Sequence, residues 1–185
     1  MTAPSSPAGV ILAGGASSRM GADKAFVEVG GRAMIVRVAD ALRAAGCEPV
    51  SCQGGDARLT ASFGLEVVPD ATVGGGPVAA ILAALRSHGG PVVIAACDLV
   101  DLDPATIRAV IAAAASNQGA LVTVATADDR PHLLSYWRPT ALAPLAELVA
   151  EGVTAYRIAL GRLAAAEVAV DRAAVRNVNR PEDLG

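Results

Sequence analysis

The sequence predicts a single α/β domain, Rossmann-like, with a mainly parallel sheet flanked by helices and an antiparallel strand element in its second half. Three observations predict it. Short apolar runs alternate with segments of helical period, the pattern of successive βα units. Hydrophobic residues make up 53% of the 185 and charged residues 18%, which fills one sizeable core but not two. Aromatics reach only 3%, so the core is built from Ala, Val, Leu and Ile, with small side chains that bring backbones close together.

The elements follow in order. Residues 1–7 (MTAPSSP) are expected to form a disordered tail, and the domain runs from 8 to 185. Residues 8–13 (AGVILA) are short, apolar and closed by a glycine pair, as in a buried first strand. Residues 33–45 carry Ile35, Val38, Ala39 and Leu42 on one helical face, and Gly46 stops that helix. Residues 49–53 and 65–68 read as two more strands. Pro77 suits the first turn of a helix that buries Val78, Ile81, Leu82 and Leu85 and breaks at Gly89-Gly90. Residues 91–96 (PVVIAA) are the most strand-like of all, with Cys97-Asp98 at their carboxyl end. Asp103 caps a helix begun by Pro104, with Ile107, Val110, Ile111 and Ala114 along one face. Residues 120–125 and 133–137 read as strands around the polar turn Asp128-Asp129-Arg130-Pro131, a connection too short for a crossover and therefore antiparallel. Two short helices, 140–150 and 154–163, and a strand near 167–170 complete the domain.

Charge and cysteine usage exclude several classes of function. Lys plus Arg is 15 against 18 for Asp plus Glu, a net charge of −3, so there is no basic excess with which to bind nucleic acid generally. No stretch approaches the roughly 18 apolar residues of a membrane span. Cys47, Cys52 and Cys97 are odd in number, lack CxxC spacing and have only His88 and His132 to join them, which disfavours zinc. They read as reduced thiols of a cytoplasmic protein, with Cys52 and Cys97 buried in strands.

Most of the chemical information lies in residues 12–24, L-A-G-G-A-S-S-R-M-G-A-D-K. Gly14-Gly15 at a strand end lets backbone N–H groups approach a ligand with no Cβ in the way, an anion nest suited to phosphates. Arg19 and Lys24 add two positive charges, one planar and bidentate, one point-like. Taken alone, a glycine pair is also what an ordinary βα turn uses. The loop is neither G-x-x-x-x-G-K-[ST], since Ala25 follows Lys24, nor G-x-G-x-x-G.

L-A-G-G-x3-R-M-G-x-D-K resembles the loop of nucleotidyltransferases with a Rossmann-like fold, and in this form that of the molybdenum cofactor guanylyltransferases (the MobA family). Residues 75–81 (GGPVAAI) are similar to the family's G-P-L-x-G-I, Cys97-Asp98 to its C-D strand end, and residues 177–184 (NVNRPEDL) to its N-x-N-x-P-x-D-L. Four motifs in one order, covering residues 10–184, are far more specific than any one of them.

The resemblance implies a nucleotide cradled by Leu12, Ala13, Gly14 and Gly15, with Lys24 on its phosphates and Asp70 also in contact. Asp70 read locally is equally a loop cap. Asp98 follows an apolar strand, where a carboxylate is costly unless it meets a cation or donors. The resemblance makes it the ligand of Mg²⁺, a hard ion suited to a carboxylate beside a triphosphate; the alternative is a helix cap. Asn177 and Asn179 are implied to contact the pterin substrate, although an N-x-N alone is commonly a turn. The sequence departs from the family at Val100, where proline is frequent, at Cys52 or Gln53, where an asparagine is expected, and at residues 152–157, where only Arg157 is basic.

The activity so implied is transfer of GMP from GTP to the phosphate of molybdopterin with release of pyrophosphate, catalysed by Arg19, Lys24 and Asp98. Transient contact with proteins that donate and accept the cofactor goes with it. A CTP-using or sugar-phosphate nucleotidyltransferase and a non-catalytic nucleotide binder are the other classes this fold would serve. Cys97 as a nucleophile is disfavoured, because no histidine lies near it in the sequence.

Overall fold

The computed structural model describes residues 6–13, 24–68 and 75–178. Strand β1 (Ala8–Leu12) leads to a short antiparallel ribbon, β2 (Glu28–Val29) and β3 (Arg32–Ala33). Helix α1 (Met34–Ala44), β4 (Val50–Gln53), α2 (Ala57–Ser62) and β5 (Glu66–Val68) follow. Next come α3 (Gly76–His88), β6 (Val92–Ala96), α4 (Pro104–Ser116), and the hairpin of β7 (Val122–Ala127) and β8 (Arg130–Trp137). Helices α5 (Leu142–Ala150) and α6 (Tyr156–Arg162) and strand β9 (Ala166–Ala169) follow, and the segment 170–178, with a 3-10 turn at Ala173–Val175, ends the described chain. None of the described helices is long and apolar enough to cross a membrane.

The main sheet has seven strands in the order β5-β4-β1-β6-β8-β7-β9. β5, β4, β1 and β6 are mutually parallel, β8 is antiparallel to both its neighbours, and β7 and β9 are parallel again. This is the expected mainly parallel sheet with one antiparallel element.

Strand alternation explains why both faces are covered. Val10, Leu12, Val92 and Ile94 pack under α3, α5 and α6, whereas Ile11, Val93 and Ala95 pack under α1 and α4. Successive side chains on a strand point to opposite faces, so uniformly apolar strands such as VVIAA require helices on both sides. Ser135 is the polar exception inside this core. Its hydroxyl accepts from Trp137 Nε1 at 2.8 Å and pairs with Tyr156 OH at 2.9 Å, giving both large side chains the polar contact that burial demands. Burial pushes the Tyr156 phenol above its ordinary range.

The structure corrects three local expectations. The hairpin turn is confined to Asp128 and Asp129, both with positive φ (50° and 56°), while Arg130 and Pro131 already belong to β8. Aspartate tolerates the left-handed conformation that tight hairpins need, so the two aspartates suffice. Cys97 is buried as expected but lies past the end of β6, with its N–H donating to Leu12 O at 3.1 Å. Helix α2 was not foreseen. Only Thr60 of it is buried, so it has no apolar stripe; the Asp56 carboxylate caps it by accepting from Arg58 N and Leu59 N.

All three cysteines are buried, and burial pushes the Cys47 thiol up to about 12, well above the range of a reactive thiolate.

At the carboxyl end of α3, His88 Nε2 lies 3.1 Å from the Ser51 hydroxyl. Burial lowers the imidazole from its ordinary 6.5, opposed by the nearby Glu66 carboxylate. The neutral ring is therefore favoured in the folded state. Its contribution to stability is complete above the ordinary imidazole value and is lost as the pH falls through the lowered one. The expected result is that His88→Gln, which retains a polar group toward Ser51, loses less Tm than wild type between about pH 8 and about pH 5. Identical pH profiles would refute it.

Candidate active site

The site forms where the sheet changes direction of growth. β1 passes through α1 to β4 on one side, and β5 passes through α3 to β6 on the other, which leaves a crevice at the carboxyl ends of β1 and β6. Register aligns the strand ends: Leu12 lies opposite both Gln53 and Ala96. Two further hydrogen bonds extend these ladders, Ala13 N to Gln53 O at 3.0 Å and Cys97 N to Leu12 O at 3.1 Å. Leu12 and Ala13 thus lie at the mouth of the crevice, and Asp98 stands at its β6 side.

Asp98 is half-buried, and the Asn177 amide donates to its Oδ1 at 2.8 Å. The backbone repeats the connection, Val178 N donating to Asp98 O at 3.1 Å. Two residues separated by 79 positions are joined because Val175 and Val178, on either side of Asn177, are both buried, Val178 against Met34 and Val100. Arg176, between them, points outward and donates through Nε and Nη2 to Asp101 Oδ2 at 3.0 and 2.8 Å. From the other side Arg37 Nε donates to Val100 O at 2.9 Å, so the loop after β6 is held at several points.

The aspartates of this loop have separate tasks. Asp103 caps α4, accepting from Ala105 N at 2.8 Å and Thr106 N at 2.9 Å, and the Thr106 hydroxyl is the chief cause of its lowered carboxyl pKa. Asp101 is engaged by Arg176. The cap of α4 is therefore Asp103, and the Asp98 carboxylate faces Asn177 instead.

Helix α3 begins at the same edge. Gly76 has φ +66°, and a Cβ there would stand 3.1 Å from Thr154 O, so both backbone conformation and the loop before α6 call for glycine. Of the two residues considered for the strand-end asparagine, Cys52 packs into the core with α1, while Gln53 is level with Leu12 at the strand end and fully buried.

Lys24 is described in its backbone, which opens the turn Lys24–Phe26; its side chain lies outside the description. Gly14, Gly15, Arg19, Asp70 and Asn179 lie outside the described residues. Of the residues singled out from the sequence, Leu12, Ala13, Asp98 and Asn177 are thus seen around one crevice. Among the described residues no three His, Cys, Asp or Glu side chains converge as a metal cluster.

Beside Asn177 opens a cleft of about 470 Å³ between the β7–β8 hairpin tip and the segment after β9. Arg130, His132, Arg172 and Arg176 line it together with Asp128. Sequence reading missed this grouping; its one local signal was the polar turn at 128–131.

The profile of the MobA-like NTP transferase domain matches residues 9–167. The molybdenum cofactor guanylyltransferase of Rhizobium meliloti (strain 1021) is 38% identical over 143 residues, 74% of this chain and 65% of that protein, so the chain spans just under two thirds of that relative's length. The probable molybdenum cofactor guanylyltransferase of Opitutus terrae is 32% identical over 187 residues, covering 95% of this chain and 92% of its own. Molybdopterin-guanine dinucleotide biosynthesis protein A from Archaeoglobus fulgidus superposes with a TM-score of 0.78 over 95% of this chain and 94% of its own at 24% identity, a likeness of fold. With a profile match across most of its length and a relative 32% identical over 95% of it, the chain belongs to the MobA-like NTP transferase family.

Proposed function

We propose that this protein transfers GMP from GTP to the phosphate of molybdopterin, forming the guanine dinucleotide form of the cofactor and releasing pyrophosphate. The observation that carries the reading is the Asp98–Asn177 pair at the crevice where β1 and β6 diverge, beside Leu12 and Ala13. The names of the relatives supply the substrates. We further infer that it works in the cytoplasm, where its three buried thiols stay reduced.

The chemistry needs no protein nucleophile. A phosphate oxygen of the acceptor attacks the α-phosphorus of GTP, and the bond from that phosphorus to the bridging oxygen breaks. The electron pair leaves with pyrophosphate. What the protein supplies is alignment of the two phosphates and neutralisation of the charge that accumulates on the leaving group. In this reading Leu12, Ala13, Gly14 and Gly15 present backbone donors to the nucleotide, with Asp70 as a further contact. Arg19 and Lys24 meet the β- and γ-phosphates.

Asp98 suits Mg²⁺ in its donor chemistry: a single carboxylate, with phosphate oxygens and water completing the shell, is the usual protein contribution to such an ion. Asn177 fixes the orientation of that carboxylate through Oδ1. Bound there, Mg²⁺ would supply positive charge to the phosphate oxygens. Asn179 is assigned to the pterin side with Asn177.

Base choice tests the reading. Guanine presents a carbonyl acceptor and a 2-amino donor where adenine presents an amino donor and a hydrogen. A site built for guanine leaves its own buried groups unpaired with another base, costing about 1–3 kcal/mol per group. GTP is therefore expected to bind at least about tenfold more tightly than ATP or CTP in a side-by-side Mg²⁺-dependent titration. Equal binding of CTP would move the assignment to the cytidylyl branch.

A further inference from the structure

The cleft beside Asn177 is lined by more cationic than anionic side chains in a chain that is acidic overall. Three guanidinium groups, Arg130, Arg172 and Arg176, line it against one carboxylate, Asp128, and His132 adds an imidazole, while the chain as a whole carries −3. These residues come from two distant segments, the start of β8 and the stretch following β9. Their convergence gives the cleft a chemistry that neither segment has alone.

The cations differ in how they are held. Arg176 is committed to Asp101 through two N–H groups. Arg172 meets Asp128 at 3.2 Å, but the two side chains are 79% and 61% exposed, and a pair so exposed is worth little. A phosphate entering the cleft would displace that contact at little cost and gain a bidentate guanidinium in return. Arg130 is exposed at the first position of β8, on the same wall as His132.

Position gives the cleft its role. Asn177 lines it and also donates to Asp98, so the cleft and the proposed reaction centre share a residue. In the sheet order β1-β6-β8-β7, the end of β1 lies on one side of Asp98 and the cleft lies on the other. A nucleotide seated at β1 leaves the β8 side open for the second substrate.

We propose that Arg130 and Arg172 form a guanidinium clamp that recognises the acceptor by its phosphate. The proposal rests on the transferase reading above and adds to it the residues that select the second substrate. The clamp takes a phosphomonoester, and it serves the acceptor, not the triphosphate tail of the nucleotide.

The experiment has two arms. In the first, Arg130→Gln and Arg172→Gln, singly and together, are assayed with molybdopterin and GTP varied in turn, after an unchanged Tm has shown that they fold. The double variant should raise KM for molybdopterin by at least about tenfold, the loss expected for one or more charge-assisted hydrogen bonds, with KM for GTP and kcat held within about twofold. An unchanged acceptor KM, or a rise in the GTP KM instead, overturns the proposal. In the second arm, inorganic phosphate is titrated into the wild-type protein while the ring resonances of its two histidines are followed by NMR. His132 should move at millimolar phosphate while His88, near β4, stays still, and the double variant should abolish the shift. No movement of His132 also overturns the proposal. If the wild type moves no nucleotide to molybdopterin yet shows the phosphate response, the transferase reading fails and the anion site stands.

Discussion

Asp98→Asn should lower nucleotidyl transfer by about 10² to 10³ without disturbing the fold, the scale on which a single charge contact in a transition state acts. Asparagine has nearly the same shape as aspartate, and its carbonyl oxygen can accept from the Asn177 amide as Asp98 Oδ1 does at 2.8 Å. The backbone bond from Val178 N to Asp98 O does not involve the side chain and survives the change. What disappears is the negative charge that would hold Mg²⁺ against the phosphates. The informative comparison is therefore between kcat, expected to collapse, and Tm, expected to stay within a few degrees. Raising the Mg²⁺ concentration should recover part of the rate if the amide oxygen retains weak affinity. Near-normal turnover in the variant would remove Asp98 from the reaction altogether.

The fold was legible wherever local chemistry dictated it. β1 could be read from AGVIL because every one of its residues is buried, and α4 from Asp103-Pro104 because capping and a fixed φ act within a single turn. The antiparallel pairing of β7 with β8 followed from the shortness of its connection. The exact turn did not, because the proline at 131 suggested a loop. Pro131 instead lies within β8, opposite Thr126, just beyond a shift in register. The ribbon of β2 and β3 was missed although Gly30-Gly31, both with positive φ, is a turn signal between them. Strands of two residues carry too little pattern to be detected.

The site was legible in a different way. In the sequence, the glycine pair after residues 8–13 and the aspartate after residues 91–97 suggest a ligand edge by their types and positions alone. Nothing in local spacing joins Asp98 to Asn177 across 79 residues; only resemblance to a known family put both in one site. The packing of Val175 and Val178 explains the junction once it is seen, yet valines near a chain end have many possible neighbours. The basic cleft depended even more on tertiary structure. Arg130 and Arg172 are ordinary surface residues in sequence, and they come to line one cleft only when β8 and the segment after β9 meet at the carboxyl edge.

Lys24→Ala should reduce kcat by about 10² to 10³, with little change in Tm. The argument begins with the backbone beneath the residue. Lys24 opens the turn Lys24–Phe26, in which Ala25 is fully buried and the Phe26 ring stacks on Phe63 with centroids 6.1 Å apart. That turn is packed into the core beside α1, so position 24 starts from a fixed support. A lysine on a fixed support provides a point charge at low reorganisation cost, which is what a departing pyrophosphate requires. Because the charge counts most after the bond to the α-phosphorus begins to break, the loss should fall on kcat more than on KM for GTP. Lys24→Arg keeps the charge but spreads it over a planar group of different reach, and should recover only part of the rate. A decrease of less than about fivefold in the alanine variant would show that the lysine is solvated during the reaction, and the role assigned to it would pass to Arg19.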